Sequence, residues 1–85
     1  MHDTFLIKKI SEEVNNLCKM NGYTRLTKLV VTVNEKSYVN EENLLHQLRH
    51  TNKRLYGPWT NIQVLRDDIR DETAILQAIE GEKGR

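Results

Sequence analysis

Residues 26–33, with the sequence Leu-Thr-Lys-Leu-Val-Val-Thr-Val, constrain the fold of this chain more than any other segment. β-Branched side chains pack well on the pleated surface of a sheet, so this run predicts a strand. The side chains of a strand alternate between its two faces, which places Leu29, Val31 and Val33 on one face. Helical patterns precede and follow the run, so the chain is expected to combine helices with a sheet.

A first helix is predicted ahead of this strand. Its apolar residues recur at helical spacing, and Asp3 or Thr4 can cap its first turn. Gly22 suits the left-handed conformation that commonly ends a helix. The apolar residues of this amphipathic helix are Leu6, Ile7, Ile10, Val14 and Leu17.

A second helix is predicted to begin at Asn40, whose side chain can cap it while Val39 and Leu44 pack across the first turn. Gly57-Pro58 is predicted to end this helix, because these residue types commonly follow a helix terminus. One side of the helix is apolar and is expected to face the core. Its residues are Leu44, Leu45, Leu48 and Leu55.

Two more strands are predicted over residues 62–65 and 73–80, and the charged stretch 66–72 between them suits a hairpin turn in water. The first strand, the second helix and the next strand predict a right-handed crossover between parallel strands. The predicted fold class is α+β, with two helices packed on one face of a mixed three-stranded sheet. We expect one domain over residues 1–80 and a flexible tail over residues 81–85.

Composition narrows the functional classes. With 38% hydrophobic and 29% charged residues, the chain is expected to fold as one small domain. A net charge of +1 gives no reason to expect a nucleic acid or an anionic membrane as the partner. The chain has one cysteine, no signal-peptide pattern and no long apolar segment, so we expect a cytoplasmic protein without a disulfide.

The chain opens Met1-His2-Asp3, directly ahead of the first predicted helix. Methionine aminopeptidases need a small second residue, so the bulky His2 is expected to keep Met1 in place. The terminal amine, the backbone nitrogen of His2 and its imidazole can then close fused chelate rings on one metal ion. This donor set favours square-planar Ni(II) or Cu(II). A histidine without any metal at this position is the alternative interpretation.

A second pattern follows at residues 29–37, which read Leu-Val-Val-Thr-Val-Asn-Glu-Lys-Ser. Together with Met1-His2-Asp3, and with the spacing between the two, this resembles the N-terminal domain of the hydrogenase nickel-incorporation protein family, HypA. That family opens Met-His-Glu at the start of a helix and has a strand that leads into Glu-x-Ser. The resemblance implies the same helix-strand-helix-strand-strand fold and a Ni(II) site that includes Met1, His2 and Asp3.

Three departures from the family pattern concern metal binding. Typical members insert a zinc-binding domain with two Cys-x-x-Cys pairs between the last two strands, whereas this chain has only residues 66–72 there, which excludes a zinc site of that kind. Asp3 replaces a glutamate and reaches less far by one methylene. Asn40 stands where an acidic residue can approach the nickel, and it carries no charge. The departures at Asp3 and Asn40 are expected to weaken the nickel site or to abolish it.

The resemblance implies a metallochaperone that serves a nickel-enzyme precursor, such as a hydrogenase, together with a GTPase maturation factor. The alternative is a metal-free interaction module on the same fold, which docks a protein partner through its helices or an edge strand. Either protein could form a homodimer, because a three-stranded sheet has two edges. No nucleophile-base pair, phosphate loop or paired carboxylate predicts an enzyme.

Other constellations have simpler explanations. His46 and His50 stand four residues apart, a spacing at which two imidazoles can share a metal ion, but they lie opposite the leucines of the second helix and are expected to be solvated. The basic stretch 49–54 is attributed to a favourable interaction with the helix dipole rather than to nucleic-acid binding. Cys18 lies at the edge of the apolar stripe and is expected to be a core residue, not a nucleophile.

Overall fold

The structure, a computed structural model, describes residues 4–84. It contains a helix, a strand, a second helix and two further strands, in the predicted order. The first strand lies at the centre of the sheet, parallel to the second strand and antiparallel to the third. The predicted α+β fold class is confirmed. The elements are α1 (Thr4–Asn21), β1 (Tyr23–Asn34), α2 (Glu41–Thr51), β2 (Asn61–Asp67) and β3 (Ala74–Lys83).

The core lies between the two helices and one face of the sheet. The face of β1 that was expected to be apolar is completely buried, because Leu29, Val31 and Val33 all have an exposed fraction of 0%. Both helices bury residues three or four positions apart, as amphipathic helices do. Leu17 is only half-buried, and Cys18 takes the corresponding core position. The buried helical residues are Leu6, Ile10, Ser11, Val14 and Cys18 in α1 and Leu44 and Leu48 in α2.

Two predicted helix boundaries are confirmed. α1 is followed by Gly22, whose φ of 71° lies in the left-handed region that glycine adopts without steric cost. α2 follows Asn40, whose Oδ1 accepts a hydrogen bond from the Asn43 N–H at 2.8 Å. The Asn43 side chain accepts from the Asn40 N–H at 3.0 Å in return, which completes a capping box.

The predicted end of α2 at Gly57-Pro58 is wrong, because the helix ends at Thr51. Asn52 is responsible: its N–H donates to the Leu48 carbonyl at 3.0 Å and closes the last turn. Its Oδ1 then accepts from the N–H groups of Arg54 and Leu55 at 3.0 and 3.1 Å. An asparagine side chain that bonds the following backbone in this way competes with helix continuation. Leu55 is buried, as predicted, but it lies in the turn after α2 and not in the helix.

The predicted hairpin between the last two strands is also wrong, because β2 and β3 lie on opposite sides of β1. Burial explains this order. Val30 and Thr32, on the face of β1 away from the helices, are only 8% and 5% exposed. Within residues 4–84, no helix covers this face, so these side chains are buried by those of a strand on each side of β1; Gln77 of β3, for example, donates to the Thr32 hydroxyl at 3.0 Å. The connection between β2 and β3 crosses the end of β1, where the Asn34 side chain donates to the Ile69 carbonyl.

The predicted flexible tail over residues 81–85 is wrong for residues 81–83, which are the last residues of β3. Gly81 pairs with Leu26 and Lys83 with Tyr23 in the antiparallel ladder. A side chain at Gly81 would meet the Arg25 carbonyl at 2.5 Å, so the glycine allows close approach to β1. The domain boundary predicted at residue 80 is therefore at least three residues too early.

Candidate functional site

Several connecting segments meet at one end of the sheet. β1 and β2 are parallel and end side by side, with Asn34 opposite Asp67, while β3 begins there with Ala74 opposite Val33. The start of α1 lies at the same end, because Leu6 and Ala74 line one groove. We call this region the loop end and define it as residues 34–40, residues 67–73 and the first turn of α1.

The predicted metal residues Met1, His2 and Asp3 lie outside the described residues. α1 begins at Thr4, the residue that directly follows them. The first turn of α1 contains no acidic residue. Within the described residues, the first turn of α1 therefore offers no carboxylate as an additional metal ligand.

The turn after β1 is held in place by hydrogen bonds. The Asn34 Oδ1 accepts from the Lys36 N–H at 2.8 Å, and the Glu35 N–H donates to the Asp67 carbonyl at 3.0 Å. Glu35, which belongs to the Glu-x-Ser pattern, is exposed at this turn. The backbone that carries its carboxylate is thus fixed, while the carboxylate itself can reach solvent or a partner.

Arg66 joins β2 to the segment that leads into α2. Its Nη1 donates to the Ser37 carbonyl at 2.7 Å, and its Nη2 donates to the Val39 carbonyl at 2.5 Å. One guanidinium therefore holds two carbonyls of the loop end, a geometry that the planar donor fork of arginine favours. Arg66 was expected in the charged turn 66–72 but lies in β2. No local pattern in the sequence points to its partners, which are 27 and 29 residues away.

Asn40, predicted to lie near the nickel, has a structural role as the N-cap of α2. Its Oδ1 is engaged by the Asn43 N–H, and Asn43 Nδ2 donates to the Tyr38 carbonyl at 2.9 Å. Aspartate caps helices about as well as asparagine. An acidic residue at this position would therefore preserve the cap, and the absence of charge at Asn40 is not explained by a structural need.

Acidic side chains at the loop end line a shallow groove. Glu35, Asp68 and Asp71 border it together with Asn34 and Lys36. No group of three or more histidine, cysteine or carboxylate side chains within residues 4–84 is arranged to hold a metal ion. The groove is therefore an acidic surface rather than a metal centre built from the described residues.

His46 and His50 lie on the solvent side of α2, as predicted. They line an open groove with Glu42, Leu45, Arg49 and Lys53. Glu42 precedes His46 by one helical turn and adds a carboxylate that the His46/His50 spacing alone does not reveal. The neighbouring cations oppose the binding of a further cation. Among the described residues, His46 and His50 most resemble a second metal site. A metal titration therefore needs a control variant that lacks both imidazoles.

Cys18 is buried, as predicted, at 1% exposure. Its Sγ lies 3.9 Å from the hydroxyl of Tyr56, which donates to Asn15 Oδ1 at 2.5 Å. Burial raises the pKa of the Cys18 thiol, and the hydrogen bond with Tyr56 opposes this effect in part. Burial and the neighbouring Cys18 also raise the pKa of Tyr56. The thiol is therefore kept neutral, as expected of a core residue rather than a nucleophile.

Comparison with known proteins adds no family assignment. No model of a known protein family matches the chain. No curated protein sequence matches it either. Within residues 4–84, neither helix is both long and apolar enough to cross a membrane. The interpretation of function therefore depends on the residues of this chain and on their placement.

Proposed function

We propose that this protein is a HypA-like nickel-binding accessory protein that lacks a zinc domain and serves the maturation of a nickel enzyme such as a hydrogenase. The observation that carries the proposal is the position of His2, directly after Met1 and two residues before the start of α1. We place this activity in the cytoplasm, as composition predicts. Nickel is the cargo of the protein, not a component of its fold.

The donor set explains how cargo could be held and released. Terminal amine, backbone nitrogen and imidazole together suit a square-planar ion. Asp3 offers a carboxylate close to this set, although with a shorter reach than glutamate. These three donors leave the fourth position of a square-planar ion for a ligand from a partner, so the cargo can be exchanged. The expected partners are a nickel-enzyme precursor and a GTPase maturation factor.

Two structural observations support the proposal. The fold is the one that the resemblance implies, with two helices on one face of a mixed three-stranded sheet. Glu35, in the pattern shared with HypA, lies at the same end of the sheet as the start of α1.

The test is a calorimetric titration of Ni(II) into protein with its native, untagged N-terminus. We expect one equivalent to bind with a Kd below about 10 μM. His2→Ala should abolish binding, because it removes the imidazole from the donor set. The double variant His46→Ala/His50→Ala is the matched control and should bind as the parent does. Asn40→Asp should strengthen binding without weakening the helix cap.

Two results would contradict the proposal. Absence of binding to the untagged protein would mean that the donor set does not hold nickel. Binding that survives His2→Ala but disappears in the control variant would assign the metal to α2 instead.

A metal-free interaction module is the second candidate, and the uncovered face of the sheet favours it. Leu65 and Ile75 lie on this face with exposed fractions of 39% and 48%, on either side of the buried Val30 and Thr32. This candidate predicts that His2→Ala leaves partner binding intact, whereas Leu65→Ser/Ile75→Ser weakens it. Binding of a purified GTPase maturation factor, measured with and without Ni(II), separates the two functions.

A further inference from the structure

The two edges of the sheet differ in how well they are protected. On β2, the Val64 N–H donates to the Glu41 carboxylate at 2.9 Å, and Arg66 binds the Ser37 and Val39 carbonyls beside the end of the strand. β3 is the terminal strand on the other side, and no strand among residues 4–84 pairs with its outer edge. An uncovered strand of ten residues offers an edge of about 33 Å. Such an edge is a template for strand addition.

The backbone groups on this outer edge can be identified. The carbonyls of Glu80 and Glu82 accept from the hydroxyls of Thr27 and Thr24 at 3.2 Å, so they point toward β1. In an antiparallel strand, successive residues direct their backbone groups to opposite edges. The N–H and C=O groups of Ile79, Gly81 and Lys83 therefore point outward.

An irregularity in β3 restricts how the edge can pair with itself. Val30 pairs with Ala78 and Val31 with Leu76, so Gln77 is an extra residue. Before this point, even-numbered residues of β3 face the helices; after it, odd-numbered residues do. Opposed residues of paired strands must lie on the same face. Two copies paired antiparallel meet this condition along the whole of β3 when the two-fold axis passes between residues 77 and 78. Residue 76 then lies opposite residue 79, and residue 75 lies opposite residue 80.

That arrangement is favourable for the side chains. On the helix-covered side, Leu76 of one copy lies opposite Ile79 of the other, and Ala74 lies opposite Gly81. Both Leu76 and Ile79 are half-buried against the core already, so the contact extends an apolar surface.

Charge also agrees with this arrangement. Glu80 and Glu82 both lie in the second half of β3, so antiparallel pairing keeps the carboxylates of the two copies apart. The same register places Glu80 of one copy opposite the uncharged Ile75 of the other. A parallel, in-register arrangement would instead place Glu80 and Glu82 of one copy beside the same glutamates of the other copy.

We propose that the protein forms a two-fold homodimer in which the β3 strands of two copies pair antiparallel about an axis between Gln77 and Ala78, giving a continuous six-stranded sheet. This inference is independent of nickel binding. A second copy of the chain is the partner that the edge fits, because the faces and the apolar contacts of β3 are complementary to themselves and its acidic side chains stay apart.

The test is sedimentation equilibrium of the full, untagged chain between about 1 μM and about 500 μM, where the mass should rise toward that of a dimer. Gln77→Lys places two like charges beside the axis and should weaken dimerisation at least about tenfold. Gln63→Lys is the matched control, because Gln63 is an exposed glutamine on the same sheet face but on β2. It should leave dimerisation unchanged. Thermal unfolding of both variants checks that the fold is kept.

Disulfide cross-linking tests the register separately. Ile75→Cys/Glu80→Cys should link two copies on mild oxidation, because directly opposed residues of antiparallel strands have Cα atoms within disulfide range. Ile75→Cys/Glu82→Cys, which is two residues out of register, is the matched control and should not. A monomer mass at every concentration would overturn the proposal. Equal weakening of the dimer by Gln77→Lys and by its control Gln63→Lys would overturn it as well. Absence of the Ile75→Cys/Glu80→Cys cross-link, or equal cross-linking of its control, would overturn the register.

Discussion

Replacing Thr60 with valine should destabilise the protein by about 2–3 kcal/mol. Thr60 is 8% exposed, and its Oγ1 donates to the Leu26 carbonyl at 2.7 Å while accepting from the Gly57 N–H at 3.1 Å. Valine has nearly the same shape but can make neither bond. Each buried backbone group left unpaired costs about 1–3 kcal/mol. The added methyl group offsets about 1 kcal/mol of that loss.

Urea unfolding followed by circular dichroism measures this difference. For a chain of this size, the slope is about 1 kcal/mol per molar urea, so the midpoint should fall by roughly 2 M. Thr60→Ser is the matched control: it keeps the hydroxyl, loses one methyl group and should cost only about 1 kcal/mol. If Thr60→Val proved as stable as Thr60→Ser, the two hydrogen bonds would not be what holds the segment after α2 against β1.

Two further predictions concern the backbone after α1 and the buried thiol. Gly22→Ala should cost about 1–2 kcal/mol in the same unfolding assay, because φ is 71° and no atom lies close enough to clash; Gly22→Asn should cost less, and equal costs would contradict the backbone explanation. Burial raises the pKa of Cys18 above its ordinary value of 9.0, so the unfolded chain releases this proton first and stability should fall as pH rises above about 9, by up to about 1.4 kcal/mol per pH unit. Cys18→Ala should reduce the slope near pH 9, and an unchanged slope would refute this cause.

The parts of the fold that the sequence predicted correctly depend on local signals. Asn40 caps the helix that starts one residue later, and Gly22 ends a helix through its own backbone preference. The alternation in β1 identifies its buried face because the period of a strand is a property of the strand itself. Each of these signals acts over a few residues, and each was confirmed.

The parts that could not be predicted depend on distant partners. The order of the strands follows from the burial of β1 on both faces, which no window of sequence reveals. The early end of α2 follows from the Asn52 side chain, whose competing bonds are decided by the turn that packs against β1. Arg66 and Glu41 find their partners more than twenty residues away. For the candidate site, the donors Met1, His2 and Asp3 remain a prediction from sequence, and the structure adds only that α1 begins directly after them, at the loop end.

The two proposals together make a demand on stoichiometry. Antiparallel pairing of β3 points the two copies in opposite directions, so their loop ends lie at opposite ends of the six-stranded sheet. Ala74 of one copy pairs with Gly81 of the other, and seven residues at about 3.3 Å each separate the starts of the two strands by roughly 23 Å. Leu6 of α1 lines a groove with Ala74, so the starts of the two α1 helices lie on opposite sides of the axis, and we do not expect the two donor sets to share one ion. Nickel should therefore bind at one equivalent per chain in monomer and dimer alike, and Gln77→Lys should leave nickel affinity unchanged. Half an equivalent per chain, or dimerisation strengthened by Ni(II), would mean that the two copies meet at their N-termini rather than along β3.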